Sequence, residues 1–134
     1  MNILVSGSNV QLGNEMVRVS GKSKDRYVFT DIAELDITKL DAVLSLVRKE
    51  QIDVIVNCAA YTNVDKAEDD EKTADLINHV AVGYLAAVAK SVNATLIHIS
   101  TDYVFRGINY VPFTEEDMTE PIGVYGKTKL AGEE

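Results

Sequence analysis

The sequence predicts an α/β fold: a parallel sheet with helices packed on both faces. Three features carry this expectation. Short, continuously apolar runs recur along the chain; stretches with apolar residues three or four apart lie between them; and turn residues separate the two kinds of segment. Strands that are apolar on both sides suit a sheet sandwiched between helices, because an antiparallel sheet with one wet face alternates polar and apolar instead.

In chain order, "NILVS" (Asn2 to Ser6) is an apolar run stopped by Gly7 and reads as a buried strand. "QLGNEMVRVS" carries Leu12, Met16 and Val19 at helical spacing, with Gly21 where a helix-terminating glycine would sit. "RYVFTD" is a second strand. "DITKLDAVLSLVRKEQ" is a second helix, with Thr38 placed to cap it and Leu40, Val43, Leu44 and Val47 on one face. "IDVIVNCAA" is a third strand and the most apolar. The long segment "DKAEDDEKTADLINHVAVGYLAAVAKSV" is helical, acidic at its start, as one helix or as two broken near Asp70. "ATLIHIS" is a fourth strand. Gly107, Asn109, Pro112 and Pro121 mark a turn-rich stretch, and a last helix begins near Gly123.

The turn after the first strand is "GSNVQLG", Gly7 to Gly13. A glycine-rich turn that opens a helix lets backbone N–H groups approach a pyrophosphate, and the helix N-terminus adds a favourable partial charge. With Asp31 at the end of the second strand, 18 residues after Gly13, the pattern is that of a Rossmann-type doubly wound sheet. An acid there takes ribose hydroxyls and favours NADH over NADPH. Asp36 and Ile37 follow as candidates for cradling the adenine. Val10 stands at the middle glycine position of the turn, so weaker cofactor binding is expected: its Cβ takes space near the phosphates and resists positive φ. Four strands are expected where a complete sheet of this type has six, so the sheet reads as incomplete, with the last helix truncated.

Composition narrows the function. The chain has 134 residues, enough for one domain. Its net charge of −8 argues against sequence-independent nucleic-acid binding and against an anionic membrane surface. The single cysteine, Cys58, forms no internal disulfide, and "MNILVSG" has neither a basic leader nor a long apolar run, so a cytoplasmic location is expected. No cluster shows metal-ligand spacing.

Ligands of open α/β sheets sit beyond the carboxyl ends of the strands. Ala59 and Ala60, after the third strand, are small enough to let a cofactor pass. Ser100 and Thr101 end the fourth strand and, taken singly, read as ordinary strand-end residues. His98 reads as a packing histidine, His79 as structural or exposed, and Cys58 as a small buried hydrophobe. Tyr125 and Lys129 are four apart and share a helical face. An ammonium beside a phenol favours the phenolate, drawing the tyrosine below its usual value of about 10, and such a tyrosine can protonate a developing alkoxide.

Taken together, "MNILVSG", "DVIVNCAAYTNVDKAE", "HISTDYVF" and "VYGKTKLAGE" resemble the dTDP-4-dehydrorhamnose reductases of the extended short-chain dehydrogenase/reductase family, over nearly the whole chain. The resemblance implies that NADH or NADPH delivers hydride to C4 of a dTDP-linked keto sugar, with magnesium linked to the complete enzyme. It implies catalytic roles for Thr101 on the carbonyl, Tyr125 as general acid, and Lys129 as its partner and ribose ligand. It places Gly7, Val10, Gln11, Leu12 and Gly13 at the pyrophosphate, Asp31, Asp36 and Ile37 at the adenosine, and Ala59, Ala60 and Tyr61 along the cofactor channel. Related dehydratases carry T-D-E where this chain has Thr101-Asp102-Tyr103, which favours simple reduction. A nucleotide-binding regulatory module of the same fold and a sugar-nucleotide epimerase are the alternatives. Members of the family continue for on the order of another 150 residues, a domain's length, in which the sugar nucleotide binds. Self-association through the unfinished sheet is therefore expected.

Overall fold

The computed structural model describes residues 1–107 and 110–134, so Asn109 of the expected turn lies outside the described residues. Strands β1 (Asn2–Ser6), β2 (Arg26–Thr30), β3 (Val54–Asn57) and β4 (Thr95–His98) form one parallel sheet in the order β2-β1-β3-β4. Helices α1 (Gln11–Ser20), α2 (Leu40–Lys49), α3 (Val64–Asp69), α4 (Glu71–Asp75), α5 (Ala81–Val92) and α6 (Val124–Ala131) connect and follow the strands. The expected α/β architecture of four parallel strands and intervening helices is present.

Strand alternation divides the core in two. Leu4 and Ile55 point to the face covered by α2 and α5, where they pack with Val43, Val47, Leu85 and Val88. Ile3, Val5, Val56 and Cys58 point to the opposite face, packed with Val10, Met16 and Phe29. This second face is the thinner one: α1 buries only Gly13 there, and Ile97 and Ile99 at the β4 edge are 47% and 39% exposed. The hydrophobic effect leaves that surface unsatisfied.

Several local expectations changed. Helix α2 starts at Leu40 with Lys39 as its cap residue and no side-chain cap, because Thr38 is spent elsewhere: its N–H and hydroxyl both donate to Asp36 Oδ1, at 2.9 and 2.6 Å. Leu40 is exposed, one turn short of the buried face. Gly21 closes α1 in a right-handed conformation, φ −63°, so its freedom is unused. The long helical segment does break at Asp70 (φ −133°, ψ 51°), and it carries a feature that spacing did not show, a π-helical turn at Leu76–Val80. No helix among the described residues is long and apolar enough to cross a membrane.

The strand order positions the site. From β1 the chain moves to β2 on one side, then crosses back so that β3 lies on the other. Connections diverge between β1 and β3, and a crevice opens outside the carboxyl ends of that pair.

Candidate active site

The glycine turn sits in this crevice. Gly7 adopts φ +71°, and a Cβ there would lie 2.6 Å from Ala59 N, so both the backbone conformation and the neighbouring β3 end demand glycine. Gly13 is buried in the first turn of α1, where a Cβ would meet Gly7 O at 2.1 Å. This contact presses the helix N-terminus against the turn and leaves its free N–H groups at the crevice. Val10 precedes α1 in an extended conformation, φ −81° and ψ 168°, so the expected conflict with positive φ does not arise. What remains is its bulk. Val10 packs on the second core cluster and lines the cavities on both sides of the turn.

On the β2 side, a cavity of about 240 Å³ is lined by Gly7, Val10, Asp31, Asp36, Ile37, Ala59 and Ala60, among others. Asp31 is held at its rim, where Oδ2 accepts from Asn9 N at 3.0 Å and Oδ1 from Ile32 N at 2.8 Å. The two bonds from Thr38 hold Asp36 below the usual carboxylate range. Ile77 also lines this cavity; it lies in the π-helical turn, whose extra residue re-aims side chains and leaves no periodicity to read.

On the β3–β4 side, a second cavity of about 470 Å³ is lined by Val10, Gln11, Leu12, Cys58, Ala60, Ser100, Tyr125 and Lys129, with others. The two cavities adjoin at Val10 and Ala60 and together line a trough across the strand ends. Burial pushes the Cys58 thiol upward, as suits an inert packing residue.

Helix α6, which carries Tyr125 and Lys129, is fixed at three points. Glu68 of α3 accepts from Val124 N at 2.8 Å, capping α6 with a carboxylate and favouring its positive end. Gly126 lets the turn at Tyr103 come close, since a Cβ would stand 2.3 Å from Tyr103 O, and the Tyr103 and Tyr125 rings meet edge to face at 5.4 Å. Asn78, buried in the π-helical turn, accepts from Tyr61 N at 2.8 Å and donates to Tyr61 O and to Thr128 Oγ1, each at 3.1 Å. One amide thus ties the loop after β3 to the residue beside Lys129. Sequence reasoning missed Asn78 and Glu68, and also Asn63, whose side chain caps α3 by accepting from Lys66 N at 3.0 Å.

Lys129 is 2% exposed. Its amine donates to Ile99 O and lies 3.3 Å from His98 Nε2. Burial pulls its pKa down, opposed by the nearby Glu133 carboxylate. His98 is lowered to about 4, by burial first and then by the Lys129 charge.

Not every expected site residue joins the trough. Thr101 lines an adjoining pocket with Val104 and Phe113 that shares Ser100 with the trough; its hydroxyl caps the short turn at Tyr103 N, 3.3 Å away. Tyr61 lines neither cavity, and its hydroxyl is buried without a hydrogen-bond partner among the described residues. A third cavity, lined by Val64, Asp102, Tyr103, Ile122 and others, also has Tyr125 in its wall. Among the described residues no group of three or more His, Cys, Asp or Glu side chains could hold a metal ion.

The RmlD substrate binding domain family matches residues 1–134. The chain belongs to that family. It is 44% identical to the dTDP-4-dehydrorhamnose reductase of Escherichia coli (strain K12), a match covering 99% of this chain and 46% of that protein. The crystal structure of a dTDP-4-dehydrorhamnose reductase from Clostridium acetobutylicum superposes with a TM-score of 0.96 at 44% identity, covering 99% of this chain and 48% of that one. A Bacillus anthracis dTDP-4-dehydrorhamnose reductase in complex with NADP gives 0.95 at 35% identity, over 98% and 47% of the two chains. The chain therefore spans about half the length of the relatives it matches.

Proposed function

We propose that this chain is the cofactor-binding portion of a cytoplasmic enzyme that reduces the C4 keto group of dTDP-4-dehydro-L-rhamnose with NADH or NADPH. The observation that carries the reading is the pair of adjoining cavities that line a trough from Asp31 past the Gly7–Gly13 turn to Tyr125 and Lys129. Its parts match the parts of a dinucleotide in order: an acidic rim for ribose hydroxyls, N–H groups at a helix start for pyrophosphate, and a phenol with an amine for the reactive end. A reduced nicotinamide bound there supplies the hydride.

The chain's own residues do the rest. Tyr125 lines both the trough and the third cavity, so its phenol is within reach of a sugar carbonyl that comes through that cavity to meet the nicotinamide end of the trough. The phenol gives its proton to the oxygen as it becomes an alkoxide. Lys129 stabilises the phenolate left behind and holds the nicotinamide ribose. The resemblance gives Thr101 to the same carbonyl oxygen; its hydroxyl opens onto the adjoining pocket and donates to Asp102 Oδ1, so that role requires it to turn toward Tyr125. Ala59 and Ala60 leave room for the cofactor backbone, and Gln11 and Leu12 offer their N–H groups to phosphate.

The adenosine end favours NADH. Among the described residues Asp31 and Asp36 line that cavity and no lysine or arginine does, so a 2′-phosphate would meet carboxylates without a cation. One observation supports a second reading, a nucleotide-binding module without catalysis: Val10 narrows the trough where its two halves join.

The test joins this chain to the remaining half of the E. coli relative. The reading expects NADH oxidation that depends on dTDP-4-dehydro-L-rhamnose, exceeds the rate with UDP-sugars, and is lost in Tyr125→Phe. Cofactor binding without turnover would favour the module; preference for a UDP-sugar would favour an epimerase-like enzyme.

A further inference from the structure

Beneath the trough, four polar side chains form a chain whose proton positions can be assigned from geometry. Asn57 Oδ1 accepts from Ser6 Oγ at 2.7 Å and from Ala59 N at 3.2 Å. The backbone N–H of Ala59 can only donate, which fixes the amide's orientation: a flipped Asn57 would set two donors face to face. Asn57 Nδ2 therefore points at His98 Nδ1, 3.1 Å away, and donates to it. Nδ1 then carries a lone pair, and the neutral ring bears its proton on Nε2. That N–H points at Lys129 Nζ, 3.3 Å away. An ammonium has three donors and no acceptor, so it cannot receive this bond; an uncharged amine can.

We propose that His98 is a positioning residue for Lys129: its Nε2–H, locked by Asn57, holds the lysine only as an uncharged amine and releases it toward the trough as an ammonium. Ile99 O accepts from the lysine in either protonation state, and the His98 N–H is a partner for the amine alone. The amine donates to Ile99 O while accepting from His98; the ammonium, facing an N–H, turns to whatever acceptor the trough offers. The functional consequence, a ribose or phenolate oxygen as that acceptor, rests on the reading above; the proton assignment does not.

The burial-driven lowering of both groups fits this arrangement, since each is pushed toward its neutral form. Other titratable groups face the pair. Around Lys129 stand Tyr125 and Glu133 from α6 and the segment after it, Cys58 from the end of β3, and Glu15 from α1; around His98 stand His79, Glu133 and Glu134. The carboxylates favour the ammonium, so the latch closes only as pH rises through the lysine's own titration.

The experiment is a long-range ¹H–¹⁵N NMR titration of the His98 ring in this chain, with Lys129 followed at its ε-carbon. The expected result is a neutral ring protonated on Nε2 at pH 7, whose Nε2 signal shifts as Lys129 loses its proton, and a loss of that shift in Lys129→Met. In His98→Phe the lysine titrates at higher pH. A second variant, Asn57→Asp, replaces the amide donor with an acceptor; it should flip the ring to the Nδ1-protonated form and likewise raise the lysine. A wild-type ring protonated on Nδ1, a cationic ring at pH 7, or a lysine titration indifferent to His98 would overturn the proposal. None of these readouts needs cofactor or substrate, so a failed dinucleotide titration would count against the trough reading while leaving this one standing.

Discussion

Replacing Val10 with glycine should weaken the fold and strengthen cofactor binding. The valine side chain is half-buried against the cluster of Ile3, Val5, Val56 and Cys58. Full burial of such a side chain is worth about 1.5–3 kcal/mol, so losing half of it costs about 1 kcal/mol. The added backbone freedom of glycine costs roughly another 0.5–1 kcal/mol, and no strain is relieved, because Val10 already sits at φ −81°. Stability should therefore fall by about 2 kcal/mol. Binding moves the other way. Removing the isopropyl group opens the junction of the two cavities and lets a phosphate reach the free N–H groups of α1. One further charge-assisted hydrogen bond contributes about 1.5 kcal/mol, or roughly tenfold in Kd. Urea unfolding reads the first effect and calorimetric titration with NADH the second. Equal or weaker NADH binding by Val10→Gly would refute the claim that this side chain obstructs the trough.

Three other outcomes follow from the packing and the charges. Glu68→Ala removes the cap on α6 and should cost about 1 kcal/mol in urea unfolding, with Glu68→Gln intermediate because it keeps an acceptor but not the charge. His98 is neutral when folded, with a pKa near 4 against 6.5 in the unfolded chain, so between those values the unfolded state binds more protons and stability rises with pH. After allowing for water at a half-buried ring, the gain across that window is about 1–2 kcal/mol, and it should vanish in His98→Gln on pH-dependent melting. Sedimentation at high concentration should show species larger than a monomer, because β4 is an edge strand beside exposed Ile97 and Ile99; Ile97→Lys should shift the distribution back toward the monomer.

Much of the architecture was legible because it is written in periodicity. β1 and α1 fall where their apolar patterns place them, and a break near Asp70 was one of the two readings the long helical segment allowed. Gly7 and Gly13 were readable as a tight strand-to-helix turn, and close backbone contacts at both positions leave no room for another residue type. What stayed hidden depends on tertiary partners. Thr38 looks like a helix cap until Asp36 claims it, and Val10 looks strained until its extended φ is known. Asn78 sits in a helix whose π-turn shifts the register, so spacing gives no hint that its amide spans from Tyr61 to Thr128. His98 looked like packing, and its contacts with Asn57 and Lys129 appear only when β3, β4 and α6 are brought together. Thr101 was placed with Tyr125 and Lys129 by resemblance; in the structure it opens onto the neighbouring pocket.

The claim on which the account rests is that one dinucleotide lies along the trough with its reactive end at Tyr125 and Lys129. An NADH titration followed by backbone amide NMR tests it directly. The account predicts saturable shifts at Gly7 to Gly13, Asp31 to Ile37, Ala59 and Ala60, and the start of α6. Shifts confined to the groove lined by His79, Gly83 and Ala86, or no saturable binding, would contradict it.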